Sequence, residues 1–551
     1  MTITNATTES LAAGPGPDVD VVIVGAGPVG LAAALLCERA RLTGVVFERH
    51  AHRPEHPKAR GIRLRASELA RLWGFDEALR AVSMPGETHR FIYTTTLSGE
   101  EIARTAPAQG VTSSWASTTQ YRVAQDHLEE LLERQLAVES NRVKLRVGQK
   151  VVGIEQDDTG VTVTLEDEGG ILTTTRARYV IAADGVASTV RKLMGLTLGD
   201  RRPAPYWHSV FWHSNLADLT RHRPAIMYYT QTGVDSLVGI APAGGVDRWV
   251  LIMQRPASDD RPAPLSDDEA RAVIRTAVDR ADLEIDVVST ATFRISADVV
   301  ERYRVGRVFL AGDAAHSLPP TGGFGINTGF ADIHNLVWKL VSVLGGEAPA
   351  SLLDSYETER REVALSNAAW STVNSKRFIA LKKALAADDR PEIVRLVAEQ
   401  SAHVDPVELD LGFSYAPTAD NARPSYERLT LGARAPHAPV ESPDGVISTL
   451  DVFDRGFTII VAPQSQWLKS VREQTEMSHL VVLVLGEPRL AGADELLRQR
   501  YDLGRRGVVL VRPDGHVAWL DRGDQDASPA RLSRILRSVL ATGLAVELSR
   551  S

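Results

Sequence analysis

An α/β fold of several units is what this sequence predicts, and three observations carry that reading. A glycine-centred turn, Gly25-Ala26-Gly27-Pro28-Val29-Gly30, joins the apolar run Val21-Val22-Ile23-Val24 to an alanine-rich stretch at 31–40. A middle region consists of short runs rich in β-branched and aromatic residues, and after residue 431 strand-like and helix-like segments alternate again. The 551 residues, 44% hydrophobic and 24% charged, suffice for about three domains at roughly 150 residues each.

The first unit reads as strand, tight turn, helix, the context of a dinucleotide-binding motif in a Rossmann-like domain. Gly25 permits the turn, Gly27 lets the backbone approach a pyrophosphate, and Gly30 lets helix and strand pack closely, with Pro28 in the first helical turn. The phosphates then face the partial positive charge of the helix N-terminus. Val45-Val46-Phe47 reads as the second strand, ending at Glu48, where a carboxylate accepts hydrogen bonds from an adenosine ribose; Arg49 is grouped with it as a cofactor contact. Two further segments follow. The run at 177–183 is a buried strand turning at Asp184-Gly185 beside the same phosphates, and Arg307-Val308-Phe309-Leu310 is a strand entering Gly312-Asp313. A glycine-rich loop continues through Pro319-Pro320-Thr321-Gly322-Gly323-Phe324-Gly325-Ile326-Asn327. In this order and spacing the three segments build an FAD site, assigned to 19–195 and 290–375.

Through these motifs the chain resembles the class A flavoprotein monooxygenases, the aromatic hydroxylase family related to phenol and para-hydroxybenzoate hydroxylases. The resemblance runs from about Asp20 to Arg361 and includes His56-Pro57-Lys58-Ala59, Arg65-Ala66-Ser67-Glu68-Leu69, Arg122-Val123-Ala124-Gln125 and two segments around Trp338 and Tyr356. It implies that Asp313 binds the ribityl chain, that Pro320, Gly323, Gly325 and Asn327 border the isoalloxazine ring, and that Gln125 approaches it. Trp338, Leu340 and Tyr356 read as helix core.

Between the flavin segments, 196–289 is expected to form a mostly antiparallel substrate-binding sheet, with runs at 207–215, 225–230, 236–241 and 248–254. Ser266-Asp267-Asp268-Glu269 is a capping box opening a helix to Val278. In the family such a sheet roofs the flavin, so Trp207, Phe211 and Tyr228 are candidate wall residues, with His213, Tyr229 and Trp249 taken as the substrate contacts. Alternation along a strand leaves the face of each open. A helical linker at 376–430 leads to 431–551, which resembles the thioredoxin-like C-terminal domain of phenol-hydroxylase-type members. That region has no cysteine, so dithiol exchange is excluded and a structural role is expected, covering the flavin domain or making a subunit contact such as a homodimer.

Net charge is -8, which argues against a nucleic-acid surface. Cys37 is the single cysteine, leaving no disulfide and no thiolate metal cluster; no metal site is expected. The first 18 residues read as a disordered tail without signal-peptide character, and no apolar run is long enough to span a membrane, so a cytoplasmic location is the expectation. The resemblance implies that NAD(P)H, as a transient reductant, reduces FAD and that O2 adds at the flavin C4a position. The hydroperoxide then hydroxylates an aromatic or phenolic, polycyclic substrate of the natural-product type. No catalytic side chain is assigned. Baeyer-Villiger oxygenation within the family and a non-catalytic FAD-binding module remain alternatives.

Overall fold

A computed structural model of the chain describes residues 17–106, 114–139, 141–199, 205–231, 237–257, 260–404, 407–416, 425–427, 429–442, 445–474, 480–487, 494–523 and 527–545. Most of the expected N-terminal tail lies outside these residues, as do 405–406 and 417–424 of the expected linker.

The flavin unit is built on a sheet whose central strands, Val143–Arg146, Gly44–Phe47, Val19–Val24, Leu172–Ala182 and Val308–Leu310, run parallel in that spatial order. Val19–Val24 lies between the strand that follows it in sequence and one more than a hundred residues later. That reversal of strand order makes a crevice at the carboxyl ends of the strands. Helix Pro28–Arg39 packs against the sheet, helix Gln125–Glu139 and helix Gly325–Leu344. Continuous apolar strands such as Val21-Val22-Ile23-Val24 are buried because both faces are covered.

The middle sheet orders its strands Asp286–Arg294, Pro205–His213, Arg248–Ala257, Leu237–Pro242, Met227–Gln231, Phe91–Thr94 and Glu101–Arg104. All neighbours are antiparallel except Met227–Gln231 with Phe91–Thr94. The sheet therefore recruits two strands from the N-terminal segment assigned by sequence to the flavin domain. One face packs on helix Asp267–Val278, opened by the expected Ser266/Glu269 capping box. The other packs on Phe378, Leu381 and Leu385 of helix Ser355–Ala386, 32 residues long, which runs unbroken through the expected boundary at 375.

The C-terminal unit has a four-stranded sheet, Val481–Val484, Thr458–Val461, Val508–Val511 and Val517–Asp521, the first pair parallel and the rest antiparallel. Helices, among them Thr449–Phe453, Trp467–Glu473, Asp494–Tyr501 and Pro529–Thr542, complete a thioredoxin-like α/β unit. A Pro513-Asp514-Gly515 turn joins the last two strands, with Gly515 at φ +76°. The core of this unit continues into Trp338, Ala348 and Leu352 of the flavin unit. Trp338 is therefore core, but of the seam between units, edge-on to Phe457. Tyr356 is core in the simpler sense: buried, its hydroxyl donates to the Leu310 carbonyl at 2.7 Å.

Candidate active site

The three glycine segments converge at the crevice. Gly25 has φ +98°, and a side chain there would sit 2.5 Å from the Ala183 carbonyl oxygen, so the first and second segments touch. A side chain on Gly30 would lie 1.9 Å from the Gly25 oxygen. Gly27 is different: a Cβ would meet nothing within 4 Å. Helix Pro28–Arg39 starts without a side-chain cap and without an acid in its first turn, so its first N–H groups are left for an outside acceptor. Val29 fills the space over Gly312 and Gly329, where Cβ atoms would lie 3.0 and 2.5 Å from it, locking the third segment to the same helix.

Asp313 lies on the turn Gly312–Ala314 and opens onto the crevice, taking no hydrogen bond among the described residues. Although water reaches it there, protein surrounds it closely, and the loss of bulk solvent raises its pKa, offset in part by His316 and Lys58. A carboxylate so placed is costly unless donors meet it. Gly325 begins the long helix directly beside it, 3.5 Å from a would-be Cβ to Asp313 Oδ1. Pro320 opens an exposed single turn, and Gly323, at φ +64°, again borders open space. Asn327 closes the loop: its Nδ2 donates to the carbonyls of Gly323 (2.5 Å) and Gly61 (3.0 Å), and its Oδ1 accepts from Arg63 N–H at 2.9 Å.

Other residues marked from sequence are engaged locally. Glu48 accepts from Ala26 N–H (2.8 Å) and His50 N–H (3.0 Å), which fixes the glycine turn and leaves a lone pair on each oxygen. Arg49 is exposed and donates to His50 Nε2. Asp184 caps helix Thr189–Leu193, taking bonds from Ser188 Oγ (2.5 Å), Thr189 N–H (2.7 Å) and Val190 N–H (3.1 Å). Gln125 accepts from Ala59 N–H at 3.2 Å and donates to Glu129 at 2.7 Å, holding segment 56–63 against the start of its helix.

On the middle sheet the three substrate candidates separate. Tyr229 faces inward, stacked on Tyr93 (5.2 Å, 16°) and packed against Phe378 (5.0 Å). Burial raises its pKa to about 12, with Arg60 opposing. Trp249 faces the other way, within the cluster under helix Asp267–Val278, its indole N–H donating to the Ser214 carbonyl at 3.1 Å. It does not share a wall with Tyr229, and neither does Tyr228, whose hydroxyl donates to the Arg223 carbonyl. His213 has the inward parity but lies at the strand's end, a partly exposed ring 3.0 Å from Asp247. Trp207 and Phe211 do face inward.

Several side chains were not picked out in the sequence. His56 bridges the flavin-side loop to the sheet, with Nε2 and Nδ1 each 2.8 Å from the hydroxyls of Ser209 and Ser289. Arg191 joins the second and third segments by donating to the carbonyls of Ala314 (2.9 Å) and Val186 (2.7 Å). Beneath the third, Asp332 binds Gly312 N–H (3.1 Å), His316 Nε2 (2.9 Å) and Arg360 Nε (2.8 Å), all buried. The only available signal for these was their place inside longer motif matches. Among the described residues no group of His, Cys, Asp and Glu is arranged for a metal, and no helix is long and apolar enough to cross a membrane.

The comparisons agree with this geometry. Residues 18–371 match the FAD binding domain family and residues 428–542 match the aromatic-ring hydroxylase C-terminal family. A putative polyketide hydroxylase of Streptomyces halstedii is 32% identical, over 96% of this chain and 97% of its own. The flavin-dependent monooxygenase PieE, solved with FAD and substrate, superposes with a TM-score of 0.85 at 28% identity, covering 95% of this chain and all (100%) of that one. Aklavinone-11 hydroxylase, solved with FAD and aklavinone, gives 0.78 at 28% identity over 96% and 99%. The chain thus belongs to the family of FAD-binding aromatic-ring hydroxylases, and it is a flavin-dependent monooxygenase whose cofactor is FAD.

Proposed function

We propose that this enzyme consumes NAD(P)H and O2 to hydroxylate a polycyclic phenolic or quinonoid substrate. The observation that carries the reading is the aromatic cluster on the inward face of the sheet, Tyr229 packed between buried Tyr93 and Phe378, on the helix whose Ser375 bonds Thr321 of the glycine-rich loop. The polyketide hydroxylase and aklavinone-11 hydroxylase relatives support a multi-ring substrate, and with it a place in antibiotic biosynthesis.

The crevice fits FAD on its own terms. The uncapped N-terminus at Gly27 would hold the pyrophosphate, and the free lone pairs of Glu48 the adenosine ribose. Asp313 would take ribityl hydroxyls as the donors it lacks. Gly323 and Gly325 leave room for the ring, while Asn327 and Arg63 hold the bordering loops apart at a fixed distance. When bound, FAD supplies the activation of O2 and its transfer to carbon. The protein's share is to hold the substrate ring, exclude water and manage the phenolic proton. Phe324 and Trp370, edge-on at 5.4 Å, close the loop side. His213, a partly exposed ring engaged with Asp247 at the end of its strand, is assigned no role as a base.

Anaerobic mixing with NAD(P)H should bleach the flavin absorption, and on aeration a multi-ring phenol should gain one oxygen with its rings intact. Failure of NAD(P)H to reduce the flavin even with such phenols present, or a ring-expanded product, would overturn this reading.

A further inference from the structure

Segment 56–63 spans the gap between the flavin unit and the middle sheet, and Arg60 sits at its centre. The backbone on both sides is fixed. His56 is tied to Ser209 and Ser289 on the sheet, and the Ala59 carbonyl accepts from Gln125 N–H at 2.9 Å. The Arg60 carbonyl accepts from Val123 N–H at 3.1 Å, and the Gly61 carbonyl from Asn327. The Arg60 guanidinium, by contrast, has no hydrogen bond and no ion pair among the described residues. Its electrostatic neighbours are the Tyr229 phenol and the His56 ring. Though only partly covered, the group is surrounded closely enough that desolvation pulls its pKa down to about 10.

Arginine carries five donors in a planar fork and stays charged, so holding it desolvated without an anion costs free energy that a purely structural site would not incur. Arg63, three residues on, differs in having an anion: its Nε pairs with Asp410 (2.7 Å) and its Nη1 donates to the Gly322 carbonyl (3.0 Å), leaving only Nη2 without a partner. Arg60 therefore stands as a preformed receptor for a planar anionic group, set beside the stacked Tyr93–Tyr229 pair where a flat ring would lie.

We propose that Arg60 anchors the substrate, its guanidinium taking an ionised oxygen, phenolate or carboxylate, of a flat aromatic molecule packed against Tyr229. The inference rests on the polycyclic-substrate reading and adds to it the charge of the substrate and the residue that recognises it. By stabilising a phenolate, Arg60 would also favour the electron-rich form of the ring that hydroxylation needs.

The test uses the FAD-loaded enzyme with alizarin, whose visible colour reports ionisation of its phenol, and with anthraquinone carboxylate and its methyl ester. Wild type should bind the carboxylate more tightly than the ester and hold bound alizarin ionised at a pH where free alizarin is not. Arg60→Met should weaken carboxylate binding by about tenfold to a hundredfold while sparing the ester, and should move the bound alizarin colour change back to higher pH. Arg60→Lys, which keeps charge but loses the fork, should recover part of the loss, and it carries the test if the methionine variant does not fold. A response confined to alizarin identifies phenolate as the recognised group, and one confined to the carboxylate pair identifies carboxylate. If Arg60→Met binds all three probes as wild type does, or alters FAD content and the flavin spectrum instead, the guanidinium serves the flavin and the proposal falls while the function stands. If wild type binds none of the probes, both fall together.

Discussion

Where the C-terminal unit meets the flavin unit the buried charges form a network of ion pairs; where the middle sheet meets it the ties are an imidazole between two hydroxyls and one ion pair, with Arg60 unpaired among the described residues. At the first seam Glu359 receives Arg512 (2.5 and 2.9 Å) and Lys339 (2.7 Å), Asp514 pairs with the same arginine, and Glu68 pairs with Arg434 and Arg65 (3.1 Å). All of these side chains are buried. At the second seam the fixed points are His56 with two serine hydroxyls and a largely covered cluster of Arg248, Asp126 and His127. Buried ions cannot slide without leaving a charge unpaired, whereas imidazole–hydroxyl contacts exchange readily with water. The difference suits a rigid cofactor unit facing a wall that must adjust to a large substrate.

The strongest way to break this comparison is at Glu359. Burial alone would raise its pKa, but Arg512 and Lys339 outweigh that and hold it at about 2, against an ordinary 4.5. Its stabilisation is thus present above pH 4.5 and lost as pH falls toward 2. Glu359→Ala should destabilise the chain by about 3–5 kcal/mol in denaturant unfolding, because two cations are left buried. A loss under about 1 kcal/mol would show that the seam is not electrostatically locked.

Asp313 lies between the seams and should give an intermediate effect. Asp313→Ala should lower FAD affinity by about 1–3 kcal/mol, read by flavin titration of the apoprotein. Because its pKa is raised before cofactor donors reach it, FAD binding favours the ionised form. Affinity should therefore rise with pH through that raised value and fall below it, and the alanine variant should lack this dependence. An Asp313→Ala protein that keeps tightly bound FAD would remove the carboxylate from the cofactor site.

The smallest effect belongs to the imidazole of the second seam. His56→Ala should cost about 1 kcal/mol in unfolding, with FAD content unchanged, since both serines can bond to water instead. Burial, helped by Lys58 and Arg60, lowers the His56 pKa to about 4, so the ring is neutral through the physiological range and brings no pH dependence there. A cost matching that of Glu359→Ala would erase the distinction between the seams.

What was legible in the sequence follows the same division between local and distant constraints. Gly25 and Gly30 were readable because the backbone itself demands them, within six residues of chain. The strands of the middle sheet were readable as β-branched runs, but not their faces. Pro205–His213 and Arg248–Ala257 have apolar residues on both sides, so alternation carried no signal and Trp249 was grouped with Tyr229. The strands at 91–94 and 101–104 were missed as members because their partners lie far along the chain. Arg60 was overlooked beside Lys58, since its meaning depends on Tyr93, Tyr229 and Phe378, which no local pattern connects.

The buried link between Glu359 and Arg512 also has a consequence in time. The two residues are 153 positions apart, so at ribosomal rates of about 5–20 residues per second roughly eight to thirty seconds separate their synthesis. Through that interval Glu359 and Lys339 have no Arg512 or Asp514 to meet, and the carboxylate is better left in water than packed. Final closure of the long helix, and of the Asp332 cluster that supports Gly312 one residue along from Glu359 at Arg360, should therefore follow synthesis of Arg512 and Asp514. A cofactor site that begins at the glycine turn of residues 25–30 should thus be completed only after residue 514 is made.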